Sequence, residues 1–408
     1  MSRRILLITL LTIIGWSQLT AQEVLTLEKA LEVAFQHSPA LIQSKISLEQ
    51  QQLNLKAQNA SLKSQFSLDV NPFNYTRNNQ YDNYNSRWYA NESMSSSASL
   101  GIVQPIKWTD GTISLINDLS WQDASNKTDN RKSTSFNHNL SLRLEQPLFT
   151  YNRTKMQLKE LEYALENAKI SYAMQELNIE KQVTTQFYEV YQKQKDLNTA
   201  KDEYNNQKQN YEIIKNKVEA GLVAKEEQFQ AEVNLATSES AVYNAEISYE
   251  NTKDNFKLLL GVSLDEDIMV LPNTAINTIN VNSMDAVKYA LDQRMELRQK
   301  EITLEEDLFS IIRAKSENEF KGSISARIGL DALAGKVKDM YSNPTDNEQI
   351  GVSLNIPIFD WGAKKARVKS SELAMESNKV DFEEEKKNII LEVRQICRNL
   401  PTLIRQIE

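Results

Sequence analysis

Two hydrophobic rhythms divide the chain. Leu140, Leu142, Leu144 and Leu148 alternate with Ser141, Arg143 and Glu145. The same period of two recurs at Ile324, Ala326, Ile328 and Leu330 against Ser325, Arg327 and Gly329, and at Val352, Leu354, Ile356 and Ile358 against Ser353 and Asn355. That spacing puts apolar groups on one face of a strand and polar groups on the other. Between such segments the period changes to three and four: Leu158, Leu161, Leu165, Ala168, Tyr172, Ile179, Val183, Phe187, Val190, Leu197, Tyr204, Tyr211, Ile214 and Val218, with mostly Glu, Lys, Gln and Asn between them. This predicts a coiled-coil helix with a narrow seam, suited to a thin wall rather than a thick core.

Breakers set the lengths. Residues 148–220 contain neither Gly nor Pro, and a helix over most of that stretch reaches roughly 100 Å at about 1.5 Å per residue. The rod turns at Ala220-Gly221-Leu222-Val223 and returns through 222–260, where Gly261 sits as a helix stop. The result is a long antiparallel hairpin.

The chain also repeats itself. At an offset of 256 residues, Ala30, Ala34, Leu41, Gln43, Ile46, Leu48 and Glu49 meet Ala286, Ala290, Leu297, Gln299, Ile302, Leu304 and Glu305. Further on the offset is 210, where Pro147 and Phe149 meet Pro357 and Phe359. The first copy therefore carries 46 residues that the second lacks, and the fold is a tandem structural repeat. The expected map is helices in 22–64, strands and loops in 65–149, the long hairpin in 150–261, a linker in 262–282, helices in 283–321, strands in 322–359 and a helix in 360–408. The insert holds a further strand-like pair within 95–121, turning at Thr109-Asp110-Gly111. At the offset of 210, Glu408 corresponds to Asn198, so the second repeat is expected to be truncated before its own turn and return helix.

A soluble sandwich and a membrane barrel both fit the alternation. Three features favour the barrel. The polar faces carry charge and small groups suited to a wet interior, and long Asn- and Ser-rich loops join the strands. Aromatics such as Phe73, Tyr75, Trp88, Tyr89, Trp108, Trp121, Phe149, Tyr151, Phe359 and Trp361 bunch near strand ends. So few strands leave open edges in lipid, so closure requires several chains. On this phase Ser141, Arg143, Glu145, Arg327, Ser353 and Asn355 are the candidate pore-facing residues.

The N-terminus fits that location. Arg3 and Arg4 precede an apolar run from Ile5 to Ile14, and a small residue closes the segment at Ala21, which predicts a secretory signal peptide over 1–21. No later stretch is long and apolar enough for a spanning helix. Only 10 Gly and 8 Pro occur in 408 residues, as expected for long helices with few turns. The formal charge of −8 becomes −10 without Arg3 and Arg4, which argues against nucleic acid as a partner.

Chemistry is hard to find. Cys397 is the only thiol, so no internal disulfide or cysteine metal site exists. His37 and His138 lack the neighbours of a metal or acid-base site. The acidic run Asp381 to Glu385 precedes Lys386 and Lys387 at helical spacing, a self-paired solvated face. No enzyme motif and no cofactor site is expected.

Several separated segments, in order, carry a family resemblance: LTLEKALEVAFQHSPAL, LRLEQPLFTYNRTKMQLKELEYALENA, KNKVEAGLVAKEEQFQAEVNLATSESAV and LNIPIFDWGAKKARVKSSELAMES. Over nearly the whole mature chain the sequence resembles the TolC family of outer-membrane efflux proteins. The resemblance implies a mostly α protein with β, in which helical hairpins form a periplasmic tube and strands join a trimeric transmembrane β-barrel. It implies a passive export duct in the cell outer membrane and periplasm, part of a tripartite efflux or type I secretion system. Its partners would be its own copies, outer-membrane lipid, a periplasmic adaptor and an inner-membrane transporter. Gly221, Leu222 and Val223 match the family's adaptor-contact tip, while Pro147, Phe149, Pro357 and Phe359 stand at the strand-to-helix transitions. The rival readings are a secreted or periplasmic coiled-coil scaffold or binding protein without channel activity, and a non-functional truncated member of the family.

Overall fold

The computed structural model describes residues 23–84, 86–126, 131–273, 279 and 281–407; the predicted signal peptide lies outside them. The first half runs β1 (Glu23–Leu25), α1 (Leu27–His37), α2 (Pro39–Ser61), β2 (Gln65–Asp82), β3 (Arg87–Ile106), β4 (Gly111–Asn126), β5 (Arg131–Leu148) and α3 (Arg153–Glu219). It continues through α4 (Lys225–Leu260), β6 (Ile268–Val270), α5 (Ser283–Gln293), α6 (Met295–Ser316), β7 (Lys321–Ala334), β8 (Thr345–Asn355) and α7 (Ala363–Ile407). The chain divides into two compact units, Met1–Leu48 with Ala168–Asn280, and Glu49–Asn167 with Val281–Glu408.

The duplication governs the element boundaries. α1 and α5 are both 11 residues long and start 256 positions apart, as do β2 and β7. α3 and α7 start 210 positions apart. β2 and β5 thus correspond to β7 and β8, and the 46-residue excess of the first repeat is the hairpin β3–β4.

In the first unit the seam closes around one apolar cluster. Ile179, Val183, Phe187 and Val190 of α3 meet Phe256 and Leu260 of α4 and the small Ala30 and Ala34 of α1. The Phe187 and Phe256 rings pack edge-on at 6.2 Å. Each of the buried Ile, Val, Phe and Leu side chains stabilises the unit by about 1.5–3 kcal/mol. Thr26 caps α1 by accepting the Lys29 N–H at 3.3 Å. α4 ends at Gly261, whose φ of 77° needs a residue without a side-chain penalty. A Cβ there would also stand 2.0 Å from the His37 carbonyl oxygen.

The stretch 262–282, read from sequence as a linker, contains β6, and the helical segment 22–64 opens with β1. The two strands pair in parallel over three residues and bury Leu25, Ile268 and Val270. Three residues are too short for a periodic signal, so only the tertiary pairing defines them. Nearby, Lys253 donates to Glu250 at 3.0 Å and Asp267 at 3.2 Å. Burial pulls its pKa down, but the two carboxylates outweigh burial and hold it above the ordinary lysine value.

The second unit is built on a six-stranded sheet in the order β2-β3-β4-β5-β7-β8, antiparallel at every pairing. α6 packs on α7 beside it. Arg298 donates to Glu166 on α3 at 2.7 Å, and Arg294 to Glu392 on α7 at 2.8 Å. At the first strand-to-helix transition Pro147 still belongs to the ladder: β5 runs on to Leu148, with Pro147 opposite Ser323. On its other side the β4 ladder stops at Glu145, leaving Pro147 no β4 partner. That is a position at which a residue without an N–H is tolerated. Pro357, by contrast, lies two residues past the end of β8.

Candidate functional site

Register assigns every strand residue to a face, because directly opposed residues in an antiparallel pair share one. One face carries Asp69, Ser99, Asp118, Asn139 and Asp331 in a single row. Four residues along β5, Arg143 stands directly opposite Arg327. Ser141 lies between these rows opposite Gly329; Glu145 faces Ser325, Ser353 faces Ser323 and Asn355 faces Lys321. All six candidate pore-facing residues therefore share this polar face. The face is internally hydrogen-bonded: Ser99 donates to Asp118 at 2.5 Å, Asn347 to Asp331 at 2.9 Å, and Asn139 also donates to Asp331. Ser141 is fully buried, while Arg143, Glu145, Ser353 and Asn355 are exposed.

The opposite face is apolar and is left open to the surroundings. Phe66 is 71% exposed, Leu68 65% and Ile350 81%, and Leu100, Ile113, Leu115, Leu142, Ile328 and Val352 are exposed beside them. A water-soluble sandwich would cover this face. In β2 a bulge between Asn71 and Asn74 inserts one residue beside Pro72. The extra residue flips the parity, so Tyr75 and Tyr81 stay on the apolar face after the polar Asn71. From Phe66 to Tyr75 the apolar run covers about 30 Å of strand, or about 23 Å of height at a tilt of about 40°. The next cross-strand pair on that face is charged, Arg77 with Glu92 at 3.6 Å. Aromatics collect at both ends of the band. Trp108, Phe149, Phe359 and Trp361 are exposed where strands become helices, and Tyr81 and Trp88 pack at 5.2 Å near the far end. His138 also lies on the apolar face, where it bonds Asn117 at 2.7 Å beneath the ring of Tyr341.

Each repeat passes from strand to helix through a capped joint. In the second, Asp360 accepts the N–H groups of Gly362 and Lys364, both at 2.9 Å. These bonds hold its carboxyl below the ordinary aspartate pKa. In the first repeat the position 210 residues earlier is Thr150, which has no carboxylate. Asp110, from the β3–β4 turn, supplies one instead. It accepts the Thr154 N–H at 3.1 Å and hydroxyl at 2.6 Å, and pairs with Arg153 at 2.9 Å. Thr154 and Lys364 are equivalent positions of the two repeats, so the same helical amide finds a carboxylate in both. Burial raises the Asp110 pKa, but the bonds from Thr154 and Arg153 prevail and leave it lowered. Asn152 caps the same helix by accepting the Lys155 N–H at 2.7 Å, and holds the turn through the carbonyls of Lys107 and Trp108. Sequence reading placed Pro147, Phe149, Pro357 and Phe359 at these joints but missed Asp110, whose role depends on a contact 44 residues away.

At the far end of α3 the chain closes a Schellman turn. The Gly221 N–H bonds the Val218 carbonyl and the Leu222 N–H bonds that of Lys217, both at 2.9 Å, with Gly221 at φ 71°. Leu222 is 73% exposed at the apex, with Val223 half-buried beside it. Along α4, Phe229, Val233, Tyr243 and Ile247 form a second apolar stripe that is exposed. Among the described residues no group of His, Cys, Asp and Glu is arranged to hold a metal, and no helix is long and apolar enough to cross a membrane.

A sheet with one exposed apolar face, joined through capped turns to long helices, agrees with the fold that comparison shows. Residues 112–262 match the family model described as outer membrane efflux protein. No curated protein sequence matches the chain with significance. Its fold is that of the TolC-like channels. The structure of CusC, described for its folding and transmembrane channel formation, aligns at a TM-score of 0.65 and 12% identity over 93% of this chain and 77% of that one. The Campylobacter jejuni outer membrane channel CmeC aligns at 0.62 and 16% identity over 92% and 70%. The Vibrio cholerae outer membrane protein VceC aligns at 0.63 and 14% identity over 93% and 80%.

Proposed function

We propose that the protein is a passive export duct that spans the outer membrane and reaches into the periplasm as a homotrimer. The observation that carries this reading is the sheet with its apolar face outward and its polar face lined by Ser, Asn, Asp and Arg. Such a sheet meets lipid on one side and water on the other. Two features support several copies. The sheet has free edges at β2 and β8, which lipid does not tolerate. The exposed stripe on α4 is a surface a neighbouring helix would cover.

Substrate would enter from an inner-membrane transporter through a periplasmic adaptor, as in a tripartite efflux or type I secretion system. The adaptor would meet the apex at Gly221, Leu222 and Val223, where Leu222 offers an isolated apolar contact. Arg143, Arg327, Glu145, Ser141, Ser353 and Asn355 would line the water-filled side. This reading assigns the chain no reaction: energy and substrate selection come from the partners.

The test is extraction and conductance. The protein should leave the outer membrane only with detergent, migrate as a heat-modifiable trimer and conduct steadily in a planar bilayer. Release as a soluble periplasmic protein without conductance would favour the scaffold reading and overturn this one.

A further inference from the structure

We propose that the inserted hairpin β3–β4 is part of the barrel wall, so that three copies close an 18-stranded barrel in which β2 of one copy pairs with β8 of the next. This rests on the trimeric duct reading and extends it to the width of the pore. A barrel made only of the strands the two repeats share, β2, β5, β7 and β8, would have 12.

Three observations place the hairpin in the wall. β3 and β4 lie between β2 and β5 in the sheet order, with antiparallel ladders on both sides, interrupted only by the bulge at Asn71–Asn74 of β2. A hairpin capping the barrel or lying over its outside would leave β2 beside β5. The faces also stay in phase across the insert. Leu100 and Leu115 fall on the apolar face with Leu68 and Leu142, while Ser99 and Asp118 fall on the polar face with Asp69 and Asn139. Finally, the turn of the hairpin is bolted to the wall's helical end. Asp110 provides the helix cap that the second repeat provides from its own Asp360, and Asn152 and Gln146 bond the carbonyls of Lys107, Trp108 and Thr109. At the position of Asp360 the first repeat has Thr150, so the Thr154 amide takes its carboxylate from Asp110 of the insert, beside the cap from Asn152.

Closure by a second copy of the chain follows from direction. Six antiparallel strands leave β2 and β8 running opposite ways, with their polar faces on the same side. An edge-to-edge junction between copies is therefore antiparallel and keeps the water-facing side continuous. Six strands are too few to enclose a lumen alone, the smallest membrane barrels having about eight. With a strand spacing of about 4.8 Å and a tilt of about 40°, 18 strands give a backbone diameter of about 36 Å, against about 24 Å for 12. The insert thus widens the outer-membrane passage by about half in diameter, toward bulkier cargo than the shared strands alone would pass.

The experiment is electron cryomicroscopy of the detergent-extracted full chain. It is combined with labelling of Ser114→Cys and Leu115→Cys, each with Cys397→Ser, in intact outer membranes by a membrane-impermeant maleimide. Ser114 and Leu115 are neighbours on β4 and point to opposite faces. Expected are trimers with 18 strands, labelling of the cysteine at 114 through the lumen, and loss of labelling at 115. Trimers with 12 strands and equal labelling at both positions would overturn the inference and leave the duct reading intact. A chain that forms no trimer would overturn both.

Discussion

Asp110 is the joint on which the inserted hairpin and the long helix α3 meet, and its replacement separates charge from shape. The side chain is 8% exposed and accepts three bonds, from the Thr154 N–H and hydroxyl and from Arg153. Its φ of 60° is one that Asn tolerates nearly as well as Asp. Asp110→Asn keeps the turn and an acceptor oxygen and removes the charge. The Arg153 partner is 66% exposed, so that ion pair contributes at most about 1 kcal/mol. Weakening the charge-assisted bonds from Thr154 adds a similar amount, for a total of about 1–2 kcal/mol. Asp110→Ala leaves the Thr154 N–H and hydroxyl without an acceptor, about 1–3 kcal/mol. It also places Ala in the left-handed region, about 1 kcal/mol more.

Native-state hydrogen exchange at the first turn of α3, read at Thr154 and Lys155, reports this directly. About 1.4 kcal/mol corresponds to tenfold faster exchange, so the Asn variant should exchange about tenfold faster and the Ala variant faster still. The pH dependence has a fixed sign. The folded pKa lies below the ordinary aspartate value, so the stabilisation is present above that ordinary value and disappears as pH falls through the folded one. The deficit of the Asn variant should be constant near neutrality and shrink in acid. Equal exchange in wild type and both variants, or a deficit that grows in acid, would refute the reasoning.

The two left-handed glycines of the hairpin should respond differently. Gly261→Ala meets both an unfavourable φ and the His37 carbonyl oxygen at 2.0 Å, and should cost more than about 2 kcal/mol in thermal unfolding. Gly221→Ala meets nothing within 4 Å and should cost only the backbone term of about 1–2 kcal/mol. Leu115→Arg places a charge on the outward face and should lower the temperature at which the folded gel band converts, consistent with about 2–4 kcal/mol, whereas Ser114→Arg should assemble normally. Burial, with Glu160 and Asp307 nearby, raises the Glu306 pKa. The stability tied to its neutral form is therefore complete in acid and lost as pH rises through the folded pKa. Glu306→Gln should raise the melting temperature at neutral pH and lose that advantage near pH 4; a uniform effect across the titration would count against the assignment.

Much of this architecture was legible in the order of residues because its periods are local. Alternation at 140–148 and 352–358 depends only on which side of a strand each residue occupies, although β8 ends at Asn355, short of Ile356 and Ile358. The seam from Leu158 to Val218 is a helical stripe, and none of its residues is exposed. Gly221 and Gly261 mark turns because a positive φ is set by local backbone geometry. The repeat offsets of 256 and 210 recur in the structure, separating α5, β7 and α7 from α1, β2 and α3. What stayed hidden depends on partners distant in sequence. β1 and β6 exist only because two three-residue segments, more than 240 positions apart, pair. Pro147 continues a strand because the neighbour on one side has already ended. The sequence showed an extra hairpin without saying where it goes. Only the sheet order, and Asp110 reaching across to the first turn of α3, decided that it joins the sheet between β2 and β5, since a hydrogen bond between residues 44 positions apart leaves no period in a sequence.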